Sequence, residues 1–224
     1  MRRASASVST VLALGLLLTA CGGGGSGEEE RQVAQKCDGS LSPTAVGALE
    51  TVLGTKEFQW GGTGLDRTAK ALIDDQATPG RAPGVPSTCE VGTAADDRLG
   101  ISVDFRLYED ADLYDDGTKW TAAGRHLYGM GREASTDNES AYLFVGCASP
   151  QLKGSDKEPA PVESVLKFKK PTKGAYPQHP ATREAYLTVL HSVTLAVVKK
   201  LGCEDDAGLA EKPVFTEKKW RGEP

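Results

Sequence analysis

The chain has 224 residues, 31 acidic against 26 basic, for a formal net charge of −5. That balance, with basic pairs as scattered as Lys169-Lys170, Lys199-Lys200 and Lys218-Lys219, argues against a nucleic-acid or anionic-lipid surface, because phosphate binding depends on clustered Lys and Arg. The length suffices for one sizeable core, and no internal repeat is visible.

Arg2 and Arg3 precede an apolar run from Val8 to Ala20. The run is too short to span a bilayer, which takes roughly 20 apolar residues, but it suits the about 7 to 15 of a signal-peptide apolar region. Leu18-Thr19-Ala20-Cys21 resembles the lipobox of bacterial lipoproteins: a branched apolar residue, two small residues, then the cysteine that is modified. The expectation is a signal peptide over 1–20, cleavage before Cys21, and a membrane anchor of acyl chains on that cysteine. Each buried methylene contributes about 0.8 kcal/mol, and stable anchoring takes more than one chain, which a diacyl or triacyl cysteine supplies. Ala4, Ser5, Ala6 and Ser7 lack the bulky apolar pair of twin-arginine signals, so general secretion is expected. The stretch 21–35, with Gly22 to Gly25, Ser26, Gly27 and then Glu28, Glu29 and Glu30, reads as a flexible, charged tether.

The folded domain is expected over 36–224. Ser42-Pro43 places a capping hydroxyl before a proline at the first helical position, and Val46, Leu49, Val52 and Leu53 recur at helical spacing until Gly54. From Thr63 to Gln76 the pattern is ambiguous, although Leu65, Ala69, Leu72 and Ile73 fit a helix. Thr78 to Ser87, rich in Pro and Gly, reads as a loop. Cys89 to Thr93 is a plausible strand, and Ile101, Val103, Phe105 and Leu107 alternate with polar residues as a half-buried strand does. Further strands are read at Arg125 to Arg132 and at Tyr142 to Cys147, the latter apolar on both faces and therefore central. Val162, Leu166 and Phe168 mark a weaker strand after a polar loop from about Ser149 to Pro161. A second helix starts at Pro180, carries Tyr186, Leu190, Val193, Val197 and Leu201 on one stripe, and closes at Lys199, Lys200 and Gly202. Residues after Asp205 read as a loosely ordered tail. Together these elements predict an α+β fold: an antiparallel sheet with a short N-terminal and a long C-terminal helix packed on it.

With Cys21 acylated, Cys37, Cys89, Cys147 and Cys203 remain, an even number in an exported setting, and two disulfides are expected. Spacing does not choose among the three pairings; the one that staples each helix to the sheet, Cys37 with Cys89 and Cys147 with Cys203, is the expectation adopted. A metal site is not expected, since no CxxC occurs and His126, His179 and His191 have no paired spacing. Lys36-Cys37-Asp38-Gly39, Leu41-Ser42-Pro43 with Gly54, Cys89-Glu90-Val91 and Leu201-Gly202-Cys203 resemble uncharacterised cell-envelope lipoproteins of high-GC Gram-positive (actinobacterial) species. The resemblance implies a small cysteine-bridged α+β domain on the cell surface, and no particular activity.

Three motifs invite chemistry. Gly129-Met130-Gly131-Arg132-Glu133-Ala134 spells a dinucleotide fingerprint, but Ser135-Thr136-Asp137-Asn138 reads as a turn where a helix is required. Ser164-Val165-Leu166-Lys167 spells the SxxK of penicillin-recognising enzymes, yet on a strand its serine and lysine face opposite ways. The acidic run Glu109, Asp110, Asp112, Asp115, Asp116 and Gly117 invites calcium, but its register fails an EF-hand, with Tyr114 and Ala123 where oxygen ligands belong; a solvated hairpin loop is the simpler reading. Tyr108, Tyr114 and Trp120 among those acids are a candidate rim for a sugar or cationic ligand. No cofactor and no catalytic set is expected. The leading expectation is a non-catalytic surface module that binds a small ligand or another envelope protein. The alternatives are an extracytoplasmic hydrolase built from Asp104, Glu109 or His126, and a structural envelope lipoprotein.

Overall fold

A computed structural model describes residues 36–79, 86–95, 99–109, 113, 125–137, 139–169 and 179–219. The predicted signal peptide, the tether with Cys21, most of the acidic run and Trp120 lie outside the described residues.

Among the described residues eight strands form one antiparallel sheet: β1 (Phe58–Gly61), β2 (Cys89–Thr93), β3 (Gly100–Leu107), β4 (His126–Tyr128), β5 (Glu133–Thr136), β6 (Ser140–Cys147), β7 (Ala160–Phe168) and β8 (Glu217–Lys218). Their spatial order is β1-β2-β3-β7-β6-β5-β4-β8. Three helices accompany them: α1 (Pro43–Leu53), α2 (Gly64–Ala77) and α3 (Pro180–Leu201). The α+β expectation holds, with β1, β5 and β8 added and the ambiguous stretch from Thr63 to Gln76 formed into α2.

The middle of the sheet is shared by β6, expected there, and by β7, a weaker strand in the sequence. The register of β7 sets Val103 opposite Leu166, Phe105 opposite Ser164 and Leu107 opposite Val162 on one side, with Ala141, Leu143 and Val145 opposite Leu166, Ser164 and Val162 on the other. Those residues make the face that carries the helices. The opposite face of β7 holds Glu163, Val165 and Lys167, and the charges there pair across strands, Glu163 with Arg106 and Lys167 with Asp104 at 3.6 Å. On that face Tyr108 meets Phe144 edge-on at 5.1 Å, and the Arg132 and Arg125 guanidinium groups lie over Tyr108 and Tyr142.

The region 125–136 departs from its sequence reading. One strand was expected from Arg125 to Arg132 and a turn from Ser135; instead β4 stops at Tyr128, the chain reverses through Gly129 to Arg132, and Ser135 and Thr136 belong to β5. Gly131 enforces the reversal, because its φ is +59° and a Cβ there would lie 2.6 Å from the Phe144 carbonyl oxygen. The turn falls at Asp137, whose Oδ1 accepts from the backbone N–H groups of Glu139 and Ser140.

Each helix end follows from its sequence. The Ser42 hydroxyl accepts from the Ala45 N–H, Pro43 occupies the first turn, and Gly54 closes α1 in the left-handed conformation. Helix α2 makes no side-chain cap of its own; Asp38, itself left-handed at φ 57°, reaches across to accept from the Leu65 N–H at 3.0 Å. His179 caps α3 by accepting from the Ala181 N–H, and Gly202 ends it. In α3, 15 of 22 residues are buried, too many for a single stripe. Its apolar side lies on the sheet, α1 packs against it, and the segment after it returns across a third side.

Both disulfides take the expected pairing, Cys37–Cys89 and Cys147–Cys203. The first ties the chain before α1 to β2; the second ties the end of β6 to the end of α3. They close sequence separations of 52 and 56 residues, so loop entropy alone assigns each about 4 kcal/mol. Replacing Cys147 and Cys203 together by serine is expected to lower the urea-unfolding free energy by about that amount; a loss near zero would mean that α3 is held by packing alone.

Candidate functional site

The segment that follows α3 builds the site. From Glu204 to Gly208 the backbone makes a left-handed turn, with φ of 48°, 51° and 56° at Asp205, Asp206 and Ala207. Such a conformation costs L-residues of order 1–2 kcal/mol each, so surrounding contacts must hold it. The Cys147–Cys203 bridge fixes one side of the turn and buried Leu209 the other. A strap then runs from Leu209 to Thr216 and ends in β8, which pairs with β4. Its Phe215 meets Tyr128 edge-on at 6.5 Å, and the Thr216 carbonyl accepts from the Gly129 N–H at 2.8 Å.

Between strap and helix lies a cleft of about 550 Å³. Its floor is one face of α3, Thr188, His191, Ser192 and Leu195, at the i, i+3, i+4, i+7 spacing of a helical stripe. The start of α1, with Ser42 and Pro43, forms one wall, and Glu211, Pro213 and Phe215 of the strap form the other. Ser192 docks the two helices: its Oγ donates to the Ser40 carbonyl at 2.9 Å and accepts from the Ser42 N–H at 2.8 Å. Thr188 turns its hydroxyl to the Glu184 carbonyl.

His191 is the exception among these polar groups. It is 2% exposed, and its Nε2 has no hydrogen-bond partner among the described residues. A smaller cavity of about 160 Å³ lies beyond the strap, lined by Gly129, Leu209 and Val214, and His191 lines it too. Burial pushes the imidazole below its ordinary pKa of 6.5; a backbone hydrogen bond at Ala210 and the Glu211 carboxylate oppose that shift, and the Lys199 ammonium adds to it. Lys199 also fastens the strap, its Nζ 3.0 Å from Glu211, whose hydrogen bond raises the lysine's pKa.

The other candidate groups do not converge. Asp104 accepts from the Ser87 hydroxyl at 2.7 Å on the face of β3 turned away from the helices. His126 pairs with Glu217 at 2.7 Å on β4. Four inter-strand steps separate β3 from β4, about 19 Å, and the two side chains take opposite faces. Glu109 lines a larger groove of about 700 Å³ with Tyr108, Arg132 and Glu158. There the Arg132 guanidinium already donates to the Tyr108 hydroxyl, and no buried polar atom of the lining is left over. Glu163 is fully buried, but Arg106 neutralises it.

Ser164 faces Thr194 at 2.6 Å on the helix side of β7 while Lys167 faces Asp104 on the other, so SxxK makes no nucleophile. Gly129 to Ala134 is a hairpin turn leading into a strand, not a phosphate loop. Asp110, Asp112, Asp115 and Asp116, with Tyr114, lie outside the described residues. Among the described residues no group of three or more His, Cys, Asp or Glu side chains is placed to hold a metal, and no helix is long and apolar enough to cross a membrane.

Comparison with protein-family models, with curated proteins and with solved structures finds no match to this chain.

Because the folded-state pKa of His191 lies below the unfolded one, its neutral form contributes stability that is complete above pH 6.5 and is lost as the pH falls below it. Urea unfolding of the wild-type chain from pH 7.5 down to 5 is expected to show this loss, and His191→Gln to lack that component; equal slopes in the two proteins would mean that the imidazole is solvated.

Proposed function

We propose that this chain is a lipid-anchored lipoprotein on the extracytoplasmic face of the cell membrane, and that its folded part binds a small ligand, without catalysis, in the cleft between α3 and the strap. The single observation behind the binding site is a cleft of about 550 Å³ lined by His191, a buried imidazole whose Nε2 has no hydrogen-bond partner among the described residues. Ligand sites are typically concavities of roughly 300–1,000 Å³ with apolar walls and few polar groups. Leu195, Pro43, Pro213 and Phe215 supply such walls.

Two disulfides suit an oxidising compartment. The lipobox at Leu18 to Cys21 and the resemblance to actinobacterial envelope lipoproteins support the anchor. The non-catalytic reading rests on hydroxyls already engaged beside His191, those of Ser192 and Thr188, and on Asp104 and His126 standing on opposite faces of the sheet.

Two measurements test the two halves. Cys21→Ser is expected to abolish incorporation of labelled palmitate and to release the protein from the membrane fraction; persistent labelling would place the acyl group elsewhere. Native mass spectrometry of the lipoprotein purified from its own membranes is expected to show a bound small molecule that Leu195→Trp, by filling the cleft, displaces. A mass accounted for by protein and acyl chains alone, in both forms, would remove the binding reading.

A further inference from the structure

The strap passes over His191. The cleft on one side of the strap and the smaller cavity on the other both reach the imidazole, and Lys212 of the strap lines both. The ring is 2% exposed, and its Nε2 has no hydrogen-bond partner among the described residues. Such a ring is stable as the neutral base, whereas the cation needs water or an anion. The carboxylate at hand, Glu211, is held by Lys199 at 3.0 Å. The other charges nearby are cations, Lys199 on the same helix and Lys212 on the strap. Helix α1 carries one titratable residue, Glu50, which pairs with Lys56, and the turn from Gly129 to Gly131 carries none. Arg183, farther along α3, is turned to the Tyr128 hydroxyl.

Water can reach the ring by two routes: α3 unpacks from the core, or the strap lifts. The first exposes Leu190, Val193 and Val197, all fully buried. The second exposes little. Buried Leu209 anchors the near end of the strap, and from Ala210 to Lys218 no residue is buried. Strand β8 is two residues long, the Lys199–Glu211 pair is open to solvent, and Phe215 meets Tyr128 by a ring edge alone. One contact answers acid in the opposite direction: His126 and Glu217, 2.7 Å apart, become an ion pair once His126 is protonated.

We infer that the strap is an acid-opened latch: when His191 takes a proton, the segment from Ala210 to Lys218 leaves α3 while the sheet, the helices and both disulfides stay in place. The cleft then loses Glu211, Pro213 and Phe215, its outer wall. This holds whether or not the cleft binds a ligand. In the open form the imidazole is in water with its ordinary pKa of 6.5, so opening takes up a proton and grows as the pH falls below that value. One proton sets a ceiling of about thirtyfold on the rise in opening between pH 7.5 and 5.

Amide hydrogen exchange of the intact chain in detergent, with both disulfides formed, reads the opening. The Gly129 N–H donates to the Thr216 carbonyl of the strap, and the N–H groups of Leu190 and Val193 report on α3. Protection, corrected for the intrinsic exchange rate, is compared at pH 7.5 and 5, with and without a low concentration of urea. Gly129 is expected to be less protected than Leu190 and Val193 and to lose between about fivefold and about thirtyfold of its protection at pH 5. Urea is expected to leave that loss unchanged, because a local opening exposes little surface. His191→Phe is expected to protect Gly129 equally at both pH values, and His126→Gln to retain the loss. Should His191→Phe not fold, the wild type and His126→Gln decide. Unchanged protection of Gly129 at pH 5, or protection and urea response equal to those of Leu190 and Val193, would overturn the inference, since the strap would then not open by itself in acid. A loss that persists in His191→Phe or vanishes in His126→Gln would assign the acid response to another group and overturn it as well.

Discussion

Burial of α3 on every side is the constraint from which the rest of the molecule follows. A helix with so few exposed residues cannot rest on a sheet alone, since a sheet covers one side. Leu190, Val193, Val197 and Leu201 lie fully buried, and each such side chain withdrawn from water contributes about 1.5–3 kcal/mol. Helix α1 shields a second side, fastened through Ser192, and the strap shields a third. The cleft exists because those two covers do not quite meet. What remains between them is a stretch of the helix with three polar side chains, Thr188, His191 and Ser192.

The same demand explains the left-handed turn after Cys203. Helix α3 ends against β6, where the disulfide holds it, and the chain must reverse at once to run back over the helix. An extended exit would carry Leu209 and Phe215 away from their partners. The strained residues Asp205, Asp206 and Ala207 thus serve the docking of two apolar side chains and a short strand. A parallel case opens the domain, where Cys37 and Asp38 take positive φ beside the other disulfide and Asp38 caps α2.

Much of the fold was legible in the sequence where period and punctuation agree. Ser42-Pro43 with Gly54 bounded α1 to the residue, and the alternation from Ile101 to Leu107 marked β3. The disulfide pairing followed from asking which bonds tie helices to strands. The central place of β7 was hidden because Glu163 and Lys167 read as solvent-facing, whereas both are answered by charges one strand away. Strand β1 is four residues long, too short for any period. The reversal at Gly131 looked like strand because Leu127 and Tyr128 precede it. The strap carried no signal at all: Leu209, Val214 and Phe215 follow neither period, and their partners lie on distant elements. In the sequence His191 stands as a histidine without a metal partner. The available signal was its company, polar Thr188 and Ser192 at helical spacing inside an apolar run.

The strap comes after everything it covers. Among the described residues, seven of the eight strands, the three α-helices and both cross-links precede Glu204 in the chain. Until then the cleft has no outer wall, because Glu211, Pro213 and Phe215 supply it. The last cover over α3 is thus also the last part of the chain to arrive, so closure of that side of the helix waits on the segment 204–216.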